Sequence, residues 1–177
     1  IERYKTKEVI NRTLFISVRK NGELEGNAKA LYPYVKGDKV IFAKQLPHNP
    51  LQILKAVKLI CTSKVIVTDD YVKYLRYFPL RPEQRVIQLW HACGAFKKFG
   101  RSTAELKFGS SAATLDKYPN YGNLTHVTVS SPEVIWAYEE AMHLPKGIVK
   151  ATGVSRTDQF YDKEFVESRK QKLYEIM

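Results

Sequence analysis

Residues 86–100 read VIQLWHACGAFKKFG, and their order points to a fold class. Val86-Ile87-Gln88-Leu89-Trp90 is a short, mostly apolar run of the kind that forms a buried strand. It ends on His91. Three small residues follow, Ala92, Cys93 and Gly94, and then Lys97, Lys98, Gly100 and Arg101. In an open parallel sheet, ligands gather beyond the carboxyl ends of the strands. A buried strand that empties into a glycine-bounded, cationic loop has that arrangement.

Similar runs lie on both sides of it. Thr13–Val18, Lys39–Ala43, Lys64–Thr68, Arg85–Leu89, Thr125–Val129 and Ile148–Ala151 read as strands. Amphipathic stretches near 25–36, 50–61, 70–77, 132–143 and 163–176 read as helices between and after them. This alternation predicts an α/β fold, a Rossmann-like parallel sheet flanked by helices. Pro50 suits the first turn of one helix. Ser131-Pro132-Glu133 predicts a capping hydroxyl, a proline at N1 and a first-turn acid for another. Trp90 and the stripe Tyr71, Tyr74 and Phe78 are expected in the core. Residues 94–124, rich in Gly, Ser, Ala and Tyr, read as a long functional loop or a broken helix.

Charge narrows the partners. The 177 residues carry 29 Lys+Arg and 18 Asp+Glu, a formal net charge of +11. Residues 1–120 hold 22 basic and 10 acidic side chains, whereas 121–177 hold 7 and 8. Such a field attracts a nucleic acid, an anionic lipid surface or a phosphate-rich polymer, unless it is simply a solvated basic face. The cations are scattered over loops and helices and match no nucleic-acid motif, so no nucleic acid is expected. No apolar run approaches the ~20 residues of a spanning helix. The chain starts at Ile1 without a signal-peptide pattern and reads as a piece of something longer. Cys61 and Cys93 have no metal-ligand spacing, which predicts free thiols and no metal. There is no GxGxxG and no P-loop, and no cofactor is expected.

The strand exits supply the candidate residues. After Thr13–Val18 comes the cationic, glycine-bearing stretch Arg19–Asn27. After Lys64–Thr68 come Asp69 and Asp70, either a helix cap and first-turn acid or carboxylates facing a cleft. After the fourth strand, His91 can both take and give a proton at cellular pH, and Lys97, Lys98 and Arg101 can hold phosphate. Its bland alternative is a satisfied structural histidine. After the sixth strand come Arg156 and Asp158, whose bland reading is a surface arginine and a helix cap. Ser130 and Ser131 read as caps first and phosphate contacts second. His48, His126 and His143 read as structural or exposed.

The stretch VIQLWHACGAFKKFG resembles the Trp-His motif of the CDP-glycerol glycerophosphotransferases, which build teichoic acids on the Gram-positive cell envelope. TVSSPEVIWAYEEAMHL (128–144), VKATGVSRTDQFYD (149–162) and RTLFISVRKNGELEGNAKALY (12–32) are similar to further segments of that family, in the same order. Many members follow the histidine with Gly-Thr-Pro. Ala92-Cys93-Gly94 stands here instead, which leaves substrate preference open.

The resemblance implies the N-terminal half of a GT-B architecture. Residues 1–154 would form the acceptor-side domain and 155–177 the interdomain linker and connecting helix, with the donor-binding domain beyond. It implies transfer of glycerol phosphate from CDP-glycerol to a hydroxyl of a membrane-linked teichoic acid acceptor, releasing CMP. Ribitol phosphate, or another polyol phosphate, is the alternative group, and a non-enzymatic basic module that binds a polyanion or nucleic acid is the alternative class. His91 would be the general base, Lys97, Lys98 and Arg101 phosphate contacts, and Arg156 and Asp158 cleft residues. The expected partners are CDP-glycerol, a lipid-linked polyol-phosphate acceptor and an anionic membrane surface. The expected location is the cytoplasmic face of the cell membrane, peripherally bound, and the 177-residue chain is expected to be inactive alone.

Overall fold

A computed structural model describes residues 4, 6–18, 22–43 and 49–177. Arg19, Lys20 and Asn21 of the first exit loop, and His48, lie outside the described residues. Six strands, β1 (Ile10–Ser17), β2 (Asp38–Ala43), β3 (Ser63–Thr68), β4 (Arg85–Gln88), β5 (His126–Val129) and β6 (Val149–Ala151), form one sheet. Every pairing is parallel, and the order is β2-β1-β3-β4-β5-β6. All six predicted strands are present, with ends within a few residues of the sequence reading.

The described residues form five α-helices: α1 (Gly26–Leu31), α2 (Pro50–Thr62), α3 (Ala112–Lys117), α4 (Ile135–Met142) and α5 (Lys163–Ile176). The chain leaves β1 for β2 in one direction, then crosses back to β3 and continues the other way. Right-handed crossovers in opposite directions place their helices on opposite faces of the sheet. The strand period of two sorts the side chains accordingly. Leu14, Ile16, Ile66, Val86 and Val127 point into a core with Ala56, Leu59 and Ile60 of α2 and Tyr138 and Met142 of α4. Phe15, Val67 and Leu89 point the other way, against Leu24 and Ala28. Tyr32 meets the Phe15 ring edge-on at 5.1 Å.

Local chemistry sets the ends. Asn49 Oδ1 accepts the Gln52 N–H at 2.9 Å, with Pro50 opening α2 as expected. Ser131 departs from expectation. It precedes a short 3₁₀ turn, Pro132–Val134, but its hydroxyl makes no capping bond to the backbone. It hydrogen-bonds the Glu133 side chain instead, which lowers the Glu133 pKa. The helix expected over 70–77 is only a 3₁₀ turn, Lys73–Tyr77. Pro79 forces Phe78 into extended backbone, and Val72 is extended too, so five residues remain between them. Phe78 is buried, and Tyr71 and Tyr74 pack on the core's margin.

Residues 94–124 are mostly turns and loop, interrupted by a 3₁₀ turn, Gly100–Thr103, and by α3, capped by Ser111 Oγ accepting from Thr114 N–H at 3.2 Å. Asp162 caps α5 by accepting from Phe165 N–H at 3.1 Å, and no residue of α5 is buried. Among the described residues no helix is long and apolar enough to cross a membrane.

Gly100 fixes the approach of the 100–103 turn to α4. Its φ is +55°, and a Cβ there would sit 2.2 Å from the Ala141 carbonyl oxygen. A backbone atom cannot move aside as a flexible side chain would. Gly100→Ala is therefore expected to destabilise the chain by about 2–4 kcal/mol through strain and overpacking. Tm should fall by roughly 5–15 °C in a thermal melt. A melt within 2 °C of the parent (roughly the shift from under 1 kcal/mol) would mean that this contact gives way freely.

Candidate functional site

The site grows from the end of β4. Leu89 N–H still donates to Thr68 O at 2.7 Å, but at Trp90 the backbone turns left-handed, with φ 55°. A bulky residue adopts that conformation only where its surroundings impose it. Two buried amides impose it here. Gln88 Oε1 accepts the Trp90 N–H at 2.9 Å. Asn27 Nδ2 donates to Trp90 O at 2.8 Å and to Leu89 O at 3.3 Å. The indole is buried, stacked on Phe99 at 4.8 Å and edge-on to Tyr121 and Tyr138. Trp90 is thus core, as expected, and it also aims the next residue.

That residue is His91. Its ring stacks on Trp90 at 4.4 Å and 26°, and its side chain is 41% exposed. Nδ1 itself is buried and has no hydrogen-bond partner, with Asp70 Oδ2 facing it at 3.8 Å. Asp70 is not the cap of the 3₁₀ turn, which begins only after Val72. Its Oδ1 accepts the Tyr71 N–H at 2.7 Å. Gln88 reaches it too, Nε2 donating to Asp70 O at 3.0 Å, so one buried glutamine ties the β3 and β4 exits together. Of the two readings left open for Asp70, the cap is not found, and its carboxylate faces His91. Asp69 is buried.

The β6 exit joins through Asn27. Ser155 Oγ donates to Asn27 O at 2.8 Å, and Arg156 N–H donates to Asn27 Oδ1 at 3.2 Å. The Arg156 guanidinium lies 3.9 Å from Cys93 Sγ, two residues past His91. Asp158 is exposed on the same 3₁₀ turn, Ser155–Tyr161. Tyr138 OH donates to Gly94 O at 3.2 Å, and burial raises its pKa, as does Cys93 beside it. Burial pushes the Tyr121 phenol above its usual range, so under Trp90 it stays neutral.

The other expected phosphate contacts do not converge on His91. Lys97 and Lys98 are exposed and line a separate pocket of about 100 Å³ with Ser102, Trp136 and Glu140. Arg101, which the sequence groups with them, is paired with Asp116 and holds that carboxyl below its ordinary range. Ser130 is exposed at the β5 exit. His126 and His143 are exposed, and neither cysteine forms a disulfide, as the sequence suggested. Among the described residues no three His, Cys, Asp or Glu side chains group as a metal site. Asn27, Gln88 and Asp70 complete the constellation. Gln88 carried a signal, since an amide in a strand expected to be buried needs partners.

Residues 4–176 match the family described as CDP-Glycerol:Poly(glycerophosphate) glycerophosphotransferase. The chain belongs to this family. It is 39% identical over 109 residues to a teichoic acid ribitol-phosphate primase of Bacillus spizizenii, covering 62% of this chain and 28% of that protein. It is 30% identical over 114 residues to a teichoic acid glycerol-phosphate primase of Bacillus subtilis, covering 64% and 30%. The wall teichoic acid polymerase TagF superposes with a TM-score of 0.67 at 12% identity, over 91% of this chain and 44% of that one. A TagF variant soaked with CDPG gives 0.68 at 11%, over 97% and 49%. The fold is the expected Rossmann-like half of a GT-B architecture. This glycerophosphotransferase-family chain spans less than a third of those sequence relatives and about half of those structures.

Asn27 makes a strong stability prediction. Asn27→Ala leaves two carbonyls and one N–H of the site without their partner. Each such orphan costs about 1–3 kcal/mol, less where water replaces the amide. A combined loss of about 2–4 kcal/mol is expected from the urea midpoint, with an unchanged m-value. A loss below ~1 kcal/mol, the net worth of one ordinary hydrogen bond, would mean that Trp90 holds its turn without this clamp.

Proposed function

We propose that this chain is the acceptor-side part of a transferase that moves a polyol phosphate from a CDP-polyol onto a hydroxyl of a teichoic acid acceptor. The observation that carries the reading is His91: a half-exposed imidazole fixed at a strand exit by Trp90, with a carboxylate behind it and Arg156 near the same loop. In this reading His91 takes the proton of the acceptor's terminal hydroxyl. The alkoxide attacks the polyol-bearing phosphorus, a new P–O bond forms, and the bond to CMP breaks. CMP leaves with the electron pair, and His91 later returns its proton to solvent. Arg156 supplies positive charge near the transferred phosphate, and Asp158 faces the remainder of the cleft. Residues 155–177 lead towards the donor-binding part.

The transferred group is glycerol phosphate in the family description. Ribitol phosphate is the second reading. It is favoured by the higher identity to a ribitol-phosphate primase, 39%, than to a glycerol-phosphate primase, 30%. Turnover of the full-length enzyme with CDP-glycerol and with CDP-ribitol chooses between them. His91→Ala is expected to lower turnover on the preferred donor by about 10²–10⁴-fold, the usual contribution of a general base. Activity within a few fold of the parent would remove His91 from the chemistry.

We further propose peripheral attachment to the anionic cytoplasmic face of the membrane. Phe96 is fully exposed and Trp136 is 65% exposed, and Trp136 shares its pocket with Lys97 and Lys98. Aromatic rings beside cations suit a headgroup interface. The chain's other tryptophan, Trp90, is buried, so an emission change on binding reports Trp136. A blue shift with anionic vesicles that fades as salt rises is expected. Equal binding to neutral and anionic vesicles, or preference for duplex DNA, would sink the attachment.

A further inference from the structure

We infer that Asp70 is a positioning residue for His91, fixing the imidazole as the tautomer with its proton on Nδ1 and leaving Nε2 as the base. The inference rests on the proposed role of His91. Its evidence is the unequal exposure of the two ring edges. Nδ1 is buried and makes no hydrogen bond, whereas 41% of the side chain is open. The group facing Nδ1 is Asp70 Oδ2, at 3.8 Å. A carboxylate accepts and never donates when ionised, so the nitrogen that faces it must carry the proton. Nε2 is then the unprotonated nitrogen, with a lone pair for an acceptor hydroxyl.

Both partners are held. Stacking on Trp90 restricts the imidazole's tilt. Asp70 is anchored through Oδ1 by the Tyr71 N–H and through its carbonyl by Gln88, the side chain that also holds Trp90 N–H. The gap of 3.8 Å is longer than a hydrogen bond. Catalytic contacts in substrate-free proteins are often long and tighten only when substrate binds. When Nε2 takes the proton, the carboxylate faces the new imidazolium and favours it. Other ionisable groups nearby are Arg156 and Cys93 across the loop, Tyr71 beside Asp70, and Tyr121, whose phenol feels the Asp70 charge. Among these, Asp70 is the one aimed at Nδ1.

The test follows the four histidines of the chain by nitrogen NMR, with the His91 signals identified by their loss in His91→Gln. At neutral pH, His91 in the parent chain is expected to show a protonated Nδ1 and a bare Nε2. In Asp70→Asn the tautomer should revert towards protonated Nε2. In the full-length enzyme, Asp70→Asn should lower kcat by roughly 10–10³-fold with KM little changed, and Asp70→Glu should restore part of it. Thermal melts of both variants exclude unfolding as the cause. An unchanged tautomer in a folded Asp70→Asn chain would overturn the inference while leaving His91 as base. An Asp70→Asn enzyme with parental kcat would overturn it too. A His91→Ala enzyme that keeps its turnover would instead fail the proposed function and take the catalytic part of the inference with it.

Discussion

Everything at the carboxyl end of the sheet depends on one backbone conformation, the left-handed turn at Trp90. A non-glycine residue held there costs about 1–3 kcal/mol. One ordinary hydrogen bond contributes about 0.5–1.5 kcal/mol net, so no single contact offsets the strain. The structure supplies several. Gln88 holds the N–H, Asn27 holds the carbonyl, and four aromatic rings including His91 surround the indole. The result is rigid. A histidine on a strained, over-determined turn has far fewer directions open to it than one on a mobile loop.

The same two amides decide which elements share the site. Asn27 begins α1 on one face of the sheet, yet its side chain and carbonyl reach the β4 and β6 exits. Gln88 joins β4 to the β3 exit. Four segments far apart in sequence are therefore fixed relative to one another by buried groups whose loss would leave several partners unsatisfied. That arrangement is brittle by design of its physics. Polar networks in a low-dielectric interior are stabilising only when complete.

Much of the sheet was legible because its strands are short β-branched runs separated by helical patterns, and a parallel sheet buried on both faces demands that sequence. The shortening of the helix expected over 70–77 to a 3₁₀ turn was not legible, because apolar spacing outlines a stripe but says nothing of Pro79 fixing Phe78. His91 was legible from its place after an apolar strand. Asp70 was legible only as a pair of alternatives, since one spacing serves both a cap and a crevice carboxylate. Asn27 left no mark, being one more polar residue at a helix start. Its partners lie more than 60 residues away, and neither propensity nor period carries such distances. The pairing of Arg101 with Asp116 was not legible for a related reason. In irregular backbone, closeness in sequence does not set direction, and the nearest acid, Asp116, took the guanidinium.

The separation of Lys97 and Lys98 from His91 bears on the kind of ligand that could use both. A polymer with charges repeated along its length, or a lipid surface carrying an anchored acceptor, can meet both places at once. Each extra contact then acts as an intramolecular event at high effective concentration. The exposed rings of Phe96 and Trp136 beside those cations tilt the balance towards a surface, because a soluble polyanion gains little from bare aromatic faces whereas a headgroup layer accommodates them. On this view the basic excess of residues 1–120 concentrates an extended, anionic acceptor.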